Sequence, residues 1–424
     1  MKNIFNKILK RKNNLNFVKL KLQDLDSKTN FSKIFNLINN YSESSEVRFV
    51  GGCIRKILTE DEIGDIDLAT NLEPKQVCEI LSSNNINYYE SGIKHGTITA
   101  KIRETNFEIT SLRKDVITDG RHAKVEFSKN WYEDASRRDF TINSIYSDFE
   151  GNIYDPFDGK IDLKKGCVKF IGDEEKRIKE DYLRILRYVR FFLDYSKIDH
   201  SEILKKKIKK NIDGISKIST ERLLDELKKI ILSKNFFNIY KDKFLTEILQ
   251  LIFPQLKNIF LLNNLNESQI SILQSKDFYF IISLLIIDET DNSDYFLYKF
   301  KISNEQKNRI KVLKNLYEQN LKKNIFDEES LWKVFYQNDK KILIDIIDLH
   351  LIKNKKSMKV LIKLKEFFKD KEAPKLNINA KYIMEKFKIQ EGPFLGQKLK
   401  QIEKQWIENK FNISEKKISE IVNN

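Results

Sequence analysis

Apolar residues along the chain change their period near residue 173. Before it they gather in short runs, Val47 to Val50, Asp65 to Leu68, Thr97 to Ile102, Phe107 to Leu112 and Phe140 to Tyr146, rich in β-branched residues and in places alternating at period two. Such runs predict strands, half-buried where they alternate. After it they recur at helical spacing, as in Tyr182, Ile185, Leu186, Val189 and Leu193, an i, i+3, i+4, i+7, i+11 stripe. Glycine makes the same division: ten of the 13 lie between Gly51 and Gly172, and from Asp173 to Glu391 there is only Gly214. Turns and strands therefore belong to the first part and helices to the second. The pattern predicts a small α+β sheet domain followed by a long helical region, punctuated only by Pro254, Pro374 and Pro393.

The chain has 424 residues, room for about three domains of ordinary size. With 33% charged and 41% hydrophobic residues, the composition suits a soluble globular protein with real cores. Lys plus Arg number 77 against 62 Asp plus Glu, a net charge of +15, which favours polyanionic partners, nucleic acid first. A base-composition bias toward A and T also enriches Lys and Asn, so the charge counts for little alone. Cys53, Cys78 and Cys167 stand far apart, without the spacing of a disulfide framework or a zinc site, and fit a reducing cytosol. No run of 18 apolar residues occurs and the first 20 residues intersperse Lys and Asn with apolar positions, so neither a membrane span nor a signal peptide is expected.

Two constellations carry chemistry. In FVGGCIRKIL, Phe49 to Leu58, a strand ends at Gly51-Gly52 and an apolar-periodic helix begins. Paired glycines let the backbone approach a phosphate, the helix N-terminus offers unpaired N–H groups, and Arg55 adds a charge-assisted contact. Alone, this pair is more often a plain turn. In Asp65-Ile66-Asp67-Leu68, alternation puts both carboxylates on one strand face and the two apolar residues on the other. Carboxylates at this spacing suit Mg²⁺, which takes one or two of them and fills its other sites with water and substrate phosphate; the plain alternative is a solvated strand edge. A phosphate cradle followed by a metal-carboxylate strand is what nucleotidyl transfer requires. Glu108 offers a third carboxylate on a strand, either completing the metal site or simply solvated. His95 and His122 are read as packed or loop histidines, with no nucleophile to serve.

The run VGGCIRK and DIDLAT, then GIKHGTITAKI, NFEITSLRKDVITDGRHAKVEF, RRDFTINSIY, DPFDGKIDL and EDYLRILRYVRF, resembles the class II tRNA nucleotidyltransferase and poly(A) polymerase family over roughly residues 46 to 195. Its middle is most similar to the bacterial and mitochondrial CCA-adding enzymes, and the stretch Ile378 to Trp406, with EGPFLG, resembles the C-terminal end of bacterial members. The family usually carries an acidic residue after the arginine of GGxVR; Lys56 stands there, which puts local hydrogen bonding in question and not the carboxylate pair.

The resemblance implies an α+β fold with a polymerase-β-like head and an all-α remainder: an N-terminal helical extension over 1–45, a head over 46–170, a neck over 171–235, a body over 236–335 and a tail over 336–424. It implies addition of CCA to the 3′ end of tRNA from CTP and ATP, without a nucleic-acid template and with Mg²⁺, in the cytoplasm. Gly52 and Arg55 would touch the nucleotide, Asp65 and Asp67 hold the metal, Arg138 bind the triphosphate, and Asp181 and Arg184 read the base with Arg187 and Arg190 nearby. Read as i, i+3 neighbours on one helical face, Asp181 accepts from the exocyclic amine of cytosine or adenine while Arg184 donates to ring acceptors. The plain alternative is a surface ion pair. Lys205, Lys206, Lys207, Lys209 and Lys210, and the stretch from Lys353 to Lys371, are candidate phosphate contacts or solvated faces. No His-Asp dipeptide occurs, so the metal phosphohydrolase domain fused to some members is expected to be missing. The rivals are a poly(A) polymerase, disfavoured by YYESGIKHGTITAK where those enzymes carry a GRRF-like segment, an enzyme adding only CC or only A, and an inactive RNA-binding protein, against which the carboxylates speak.

Overall fold

The N-terminal apolar runs assemble into a mixed sheet. In the computed structural model, which describes residues 17–64, 66–117, 124–354 and 358–423, the strands are β1 (Val47–Val50), β2 (Ile66–Thr70), β3 (Asn87–Gly92), β4 (Thr97–Ile102), β5 (Thr105–Ser111), β6 (Arg113–Ile117), β7 (Lys124–Phe127), β8 (Tyr146–Ser147) and β9 (Ile153–Tyr154). Seven of them form one sheet in the order β3-β4-β5-β2-β1-β8-β9, and β6 with β7 makes a separate hairpin. Among the described residues β2 and β5 run parallel and the other pairs antiparallel.

Alternation decides what each sheet face holds. Ile66, Leu68, Phe107 and Ile109 bury themselves beneath residues of α1 (residues 17–29), α2 (Ser32–Asn39), α3 (Gly52–Thr59) and α4 (Pro74–Ser83). Phe49 centres this core, its ring 4.7 Å from those of both Phe31 and Phe35. Burying one such side chain stabilises by roughly 1.5–3 kcal/mol. Val50 and Ala69 belong to a second, smaller cluster with Leu112, Ala135 and Tyr146, beside which the candidate site opens.

One expected strand does not form. Phe140 to Tyr146 folds instead as an isolated bridge at Phe140, a 3₁₀ turn over Thr141–Asn143 and the two residues of β8. Phe140, Ile142, Ile145 and Tyr146 are all fully buried, so the apolar content reported burial and not alternation. Side chains satisfy the turn: the Thr141 hydroxyl donates to Asp162 at 2.8 Å and Asn143 Nδ2 to Asp139 at 2.8 Å. Helix α6 (Gly159–Lys165) follows α5 (Trp131–Ser136) and packs there through glycine, since a Cβ on Gly159 would stand 2.1 Å from the Thr141 carbonyl oxygen.

The helical part begins with α7 (Glu174–Glu180) and α8 (Leu183–Tyr195), then α9 (Glu202–Lys210), α10 (Thr220–Ile231) and α11 (Lys243–Ile252). The expected continuous helix from Asp181 is broken: Asp181 is extended, at φ −154° and ψ 103°, and its carboxylate accepts from the Leu183 amide at 3.2 Å. By Cα proximity the chain divides into two compact units, Met1–Ile239 with Lys243–Ile252, and Tyr240–Asp242 with Phe253–Asn424. The second unit is helical, from α12 (Glu267–Gln274) to a last helix over Glu415–Asn423, and Pro393 occupies the first turn of a helix running to Glu408. Several of its buried charges are paired, Arg309 with Asp345 and Asp277, and Lys276 with Asp345 and Asp348, which offsets the cost of removing ions from water. Among the described residues no helix is long and apolar enough to cross a membrane.

Candidate nucleotide site

The chain leaves β1 through a backbone state open to glycine. Gly51 lies at φ +62° and ψ −114°, a region disfavoured for any residue with a Cβ. Its N–H donates to the Ile145 carbonyl at 3.1 Å, and α3 starts at the next residue. A Cβ on Gly52 would stand 3.5 Å from Asp67 Oδ2 and 3.9 Å from an Arg55 nitrogen. The bare backbone of Gly52, the first residue of α3, thus faces the carboxylate strand. Asp67 is half-buried on β2, and Asp65 lies outside the described residues. The parallel register sets Glu108 beside Asp67 on the same sheet face, where its own side chain is exposed.

Arg55 is buried, clamped with its guanidinium carbon 4.7 Å from the Phe191 ring and 4.9 Å from that of Tyr195, and bonded to Asn143. Its Nε has no hydrogen-bond partner among the described residues. Arg138 is fixed from behind, its Nε donating to Tyr146 Oη at 3.0 Å and to Asp134 at 3.2 Å, so that Nη1 comes within 3.6 Å of where a Gly51 Cβ would stand. Burial opposes the charge on Asp134, but Arg138 and Arg137 outweigh it and hold the carboxyl well below the usual range. The same contest ends the same way at Asp139, where burial is overcome by Arg187, whose Nε donates at 2.6 Å, and by Asn143. A continuous path therefore runs Arg187, Asp139, Asn143, Arg55, from α8 to α3.

The acidic and basic members of EDYLR do not pair with each other. Arg222 on α10 donates to Asp181 Oδ2 at 2.7 Å, while Arg184 donates to Glu180 at 2.8 Å and to the Arg177 and Arg137 carbonyls at 2.8 and 3.3 Å. The break at Asp181 removes the shared helical face on which an i, i+3 pair depends. Arg190 binds Glu226 at 2.6 Å. Arg184, Arg187 and Arg190 nevertheless line one cleft with Gly52, Arg55, Asp67, Arg138 and Asp181, a cavity of about 770 Å³ whose lining carries ten Arg and Lys against four Asp. Such an excess suits a polyphosphate.

Known proteins share this architecture. The Poly A polymerase head domain family matches residues 47–169, the family described as a probable RNA and SrmB-binding site of polymerase A matches 201–260, and a putative tRNA nucleotidyltransferase domain 2 matches 273–422. The mitochondrial CCA tRNA nucleotidyltransferase 1 of Homo sapiens is 47% identical over 199 residues, 46% of this chain and 45% of that protein, so the match spans less than half of it. The CCA-adding enzyme of Staphylococcus haemolyticus is 31% identical over 381 residues, 86% of this chain and 90% of that protein. The chain belongs to the CCA-adding enzyme family. The crystal structure of the Bacillus stearothermophilus CCA-adding enzyme in complex with CTP superposes with a TM-score of 0.68 at 22% identity, covering 89% of this chain and 93% of that one, a likeness of fold.

Within this family frame, several site residues carried no sequence signal. Asp134, Asp139, Asn143 and Tyr146 hold the arginines of the cleft; Asp134 stands outside every quoted motif, and Asp139, Asn143 and Tyr146 lie inside RRDFTINSIY with nothing in the run to mark them as supports. Arg222 and Glu226 reach 41 and 36 residues back to Asp181 and Arg190, a separation at which nothing local announces a partner. The lysines of α9 are largely occupied: Lys205 pairs with Glu202, Lys207 with Glu174 and Asp173, Lys209 with Glu247 and Lys210 with Glu175, leaving Lys206 exposed. This is the arrangement of a solvated, ion-paired face. In the other Lys-rich stretch Lys353 packs 4.2 Å from the Tyr317 ring and Lys365 binds Asp348 at 2.6 Å. His95 is exposed in a 3₁₀ turn, and His122 lies outside the described residues.

Proposed function

We propose that this chain completes tRNA 3′ ends with CCA, taking CTP and ATP in turn and releasing pyrophosphate without a nucleic-acid template. The observation that carries the reading is the meeting, in one cationic cleft, of the Gly51-Gly52 turn, Asp67 and the α8 residues Arg184, Arg187 and Arg190. Gly52 and the start of α3 receive phosphate oxygens through backbone N–H groups. Arg138, held rigid by Asp134 and Tyr146, presents its remaining edge to the triphosphate. Asp181 keeps spare lone pairs after bonding Arg222 and Leu183, and accepts from the exocyclic amine shared by cytosine and adenine; Arg184 supplies the complementary donor.

The residues present fit Mg²⁺. Asp67 offers hard oxygens beside the Gly52 backbone, Glu108 stands next to it in register, and the surrounding arginines prepare the site for the phosphates that complete a magnesium shell. Asp67, together with Asp65, would hold the ion; bound there, it would polarise the phosphoryl oxygens and lower the pKa of the attacking hydroxyl. The division at 45/46, 170/171, 235/236 and 335/336 and a cytoplasmic location are parts of the same proposal, the location being open to cell fractionation. The deciding experiment incubates the intact chain with tRNA lacking its last three nucleotides plus CTP and ATP, and sequences the product ends. Ends in CCA are expected; an oligo(A) tail, CC alone, A alone or unchanged ends would each replace this reading by the rival it names.

A further inference from the structure

The cleft has an end that the base-reading and phosphate-cradling residues leave unclaimed. Along α8 the order is Arg184, then Arg187 bound to Asp139, then Phe191 and Tyr195 clamping Arg55, then Asp194. Ten residues of helical rise separate Arg184 from Asp194, about 15 Å. At that far end Lys56, one helical turn beyond Gly52 on α3, lines the cleft and also an adjoining cavity of about 560 Å³. Its Nζ lies 3.7 Å from where a Cβ on Gly64 would stand, and among the described residues its side chain has neither a hydrogen bond nor an ion pair.

The two cations of α3 therefore differ. Arg55 is immobilised by two rings and Asn143, whereas Lys56 is half-buried and its ammonium has no partner among the described residues. A half-buried ammonium at the end of a phosphate cradle asks for an anion. Asp194, Asp61 and Glu62 line the adjoining cavity with it, but among the described residues none of them forms an ion pair with Lys56. Asp61 is bonded to Thr59 and paired with Lys234, and at Asp194 burial works against the charged form that Arg190 and Arg55 favour.

We propose that Lys56 is the anchor for the terminal phosphates of the incoming nucleoside triphosphate, and so for the departing pyrophosphate. A nucleotide whose base is read at Asp181 and whose α-phosphate sits over Gly52 points its β- and γ-phosphates along α3 to this lysine. The assignment rests on the nucleotidyltransferase reading and deepens it. It predicts a discrimination that depends on phosphate number and not on the base.

Equilibrium titration of the intact chain in Mg²⁺ with CTP and with CMP, for the parent, Lys56→Met and Lys56→Arg, tests it. Lys56→Met is expected to weaken CTP about tenfold while leaving CMP within twofold, and Lys56→Arg to restore most of the CTP affinity. Pyrophosphate inhibition of nucleotide addition should weaken in step with CTP binding. CTP affinity unchanged in Lys56→Met, or CTP and CMP weakened alike, overturns the assignment while leaving the enzyme reading intact. A parent chain that binds no CTP overturns both.

Discussion

Arg222 holds Asp181 from a helix 41 residues away, Nη2 to Oδ2 at 2.7 Å. The carboxylate that would face the base is thus aimed by α10, while Arg184 is aimed by Glu180 and two backbone carbonyls. Base choice should then depend on Arg222 although it need touch no base. Arg222→Ala is expected to raise UTP and GTP incorporation roughly tenfold relative to CTP, and Arg184→Ala roughly ten- to a hundredfold, as loss of a bidentate contact worth about 1–3 kcal/mol implies. Each variant must first show parental folding by circular dichroism. Full preference for CTP and then ATP in folded Arg184→Ala would place the template elsewhere.

Much of this site was legible because its chemistry is local in sequence. Gly51-Gly52, Asp67 and Arg55 fall within 17 residues, and the strand and helix that carry them announce themselves by period. The supporting contacts were not legible, because a buried arginine selects a partner by space and not by spacing. Asp139 to Arg187 and Arg190 to Glu226 cross 48 and 36 residues. The helix break at Asp181 was hidden for another reason: the apolar stripe begins only at Tyr182 and reports nothing of the residue before it, and the capping of Leu183 by Asp181 is a side-chain event that periodicity does not report.

The buried carboxylates set an acid limit on the fold. Asp134 and Asp139 both ionise well below the usual carboxylate value because burial is outweighed by Arg138 with Arg137 and by Arg187, respectively. An unfolded chain, whose aspartates titrate near about 3.9, therefore binds more protons as pH falls. The stabilisation is fully present above about pH 5 and drains away as pH drops through 4 toward the folded values. Urea midpoints measured from pH 6 to pH 2 should show this fall, and Asp139→Asn should flatten it at the cost of lower stability at pH 7. Asp134→Ala, which strands two arginines and a tyrosine hydroxyl, should cost about 3–5 kcal/mol.

Ion pairing on α9 predicts an electrostatic silence. A chain of net charge +15 should lose tRNA affinity steeply as salt is added, because bound cations displace counterions from the phosphates. Lys205, Lys207, Lys209 and Lys210 already face carboxylates, so Lys209→Gln should leave the slope of log affinity against log salt within a few tenths of the parent value. A slope lowered by about one unit would return that lysine to the phosphate contacts.

The carboxylate strand gives the sharpest separation of binding from chemistry. Asp67 faces Gly52 across 3.5 Å of would-be Cβ contact and sits among arginines, so its removal takes away a metal ligand and makes the cleft more positive, not less. Asp67→Ala, and likewise Asp65→Ala, should therefore abolish nucleotide addition while tRNA affinity holds or rises slightly. Filter binding and primer-extension assays on the same preparations read the two properties independently. Turnover above a few per cent of the parent in Mg²⁺ would remove the residue from the metal site. Loss of tRNA affinity in parallel with activity would instead make Asp67 a structural element of β2. Glu108→Gln serves as the internal comparison, because Glu108 shares the face of Asp67 but is exposed: a fall in activity of a hundredfold or more, relieved by raised Mg²⁺, would join it to the metal site, and a change under threefold would leave it a solvated neighbour.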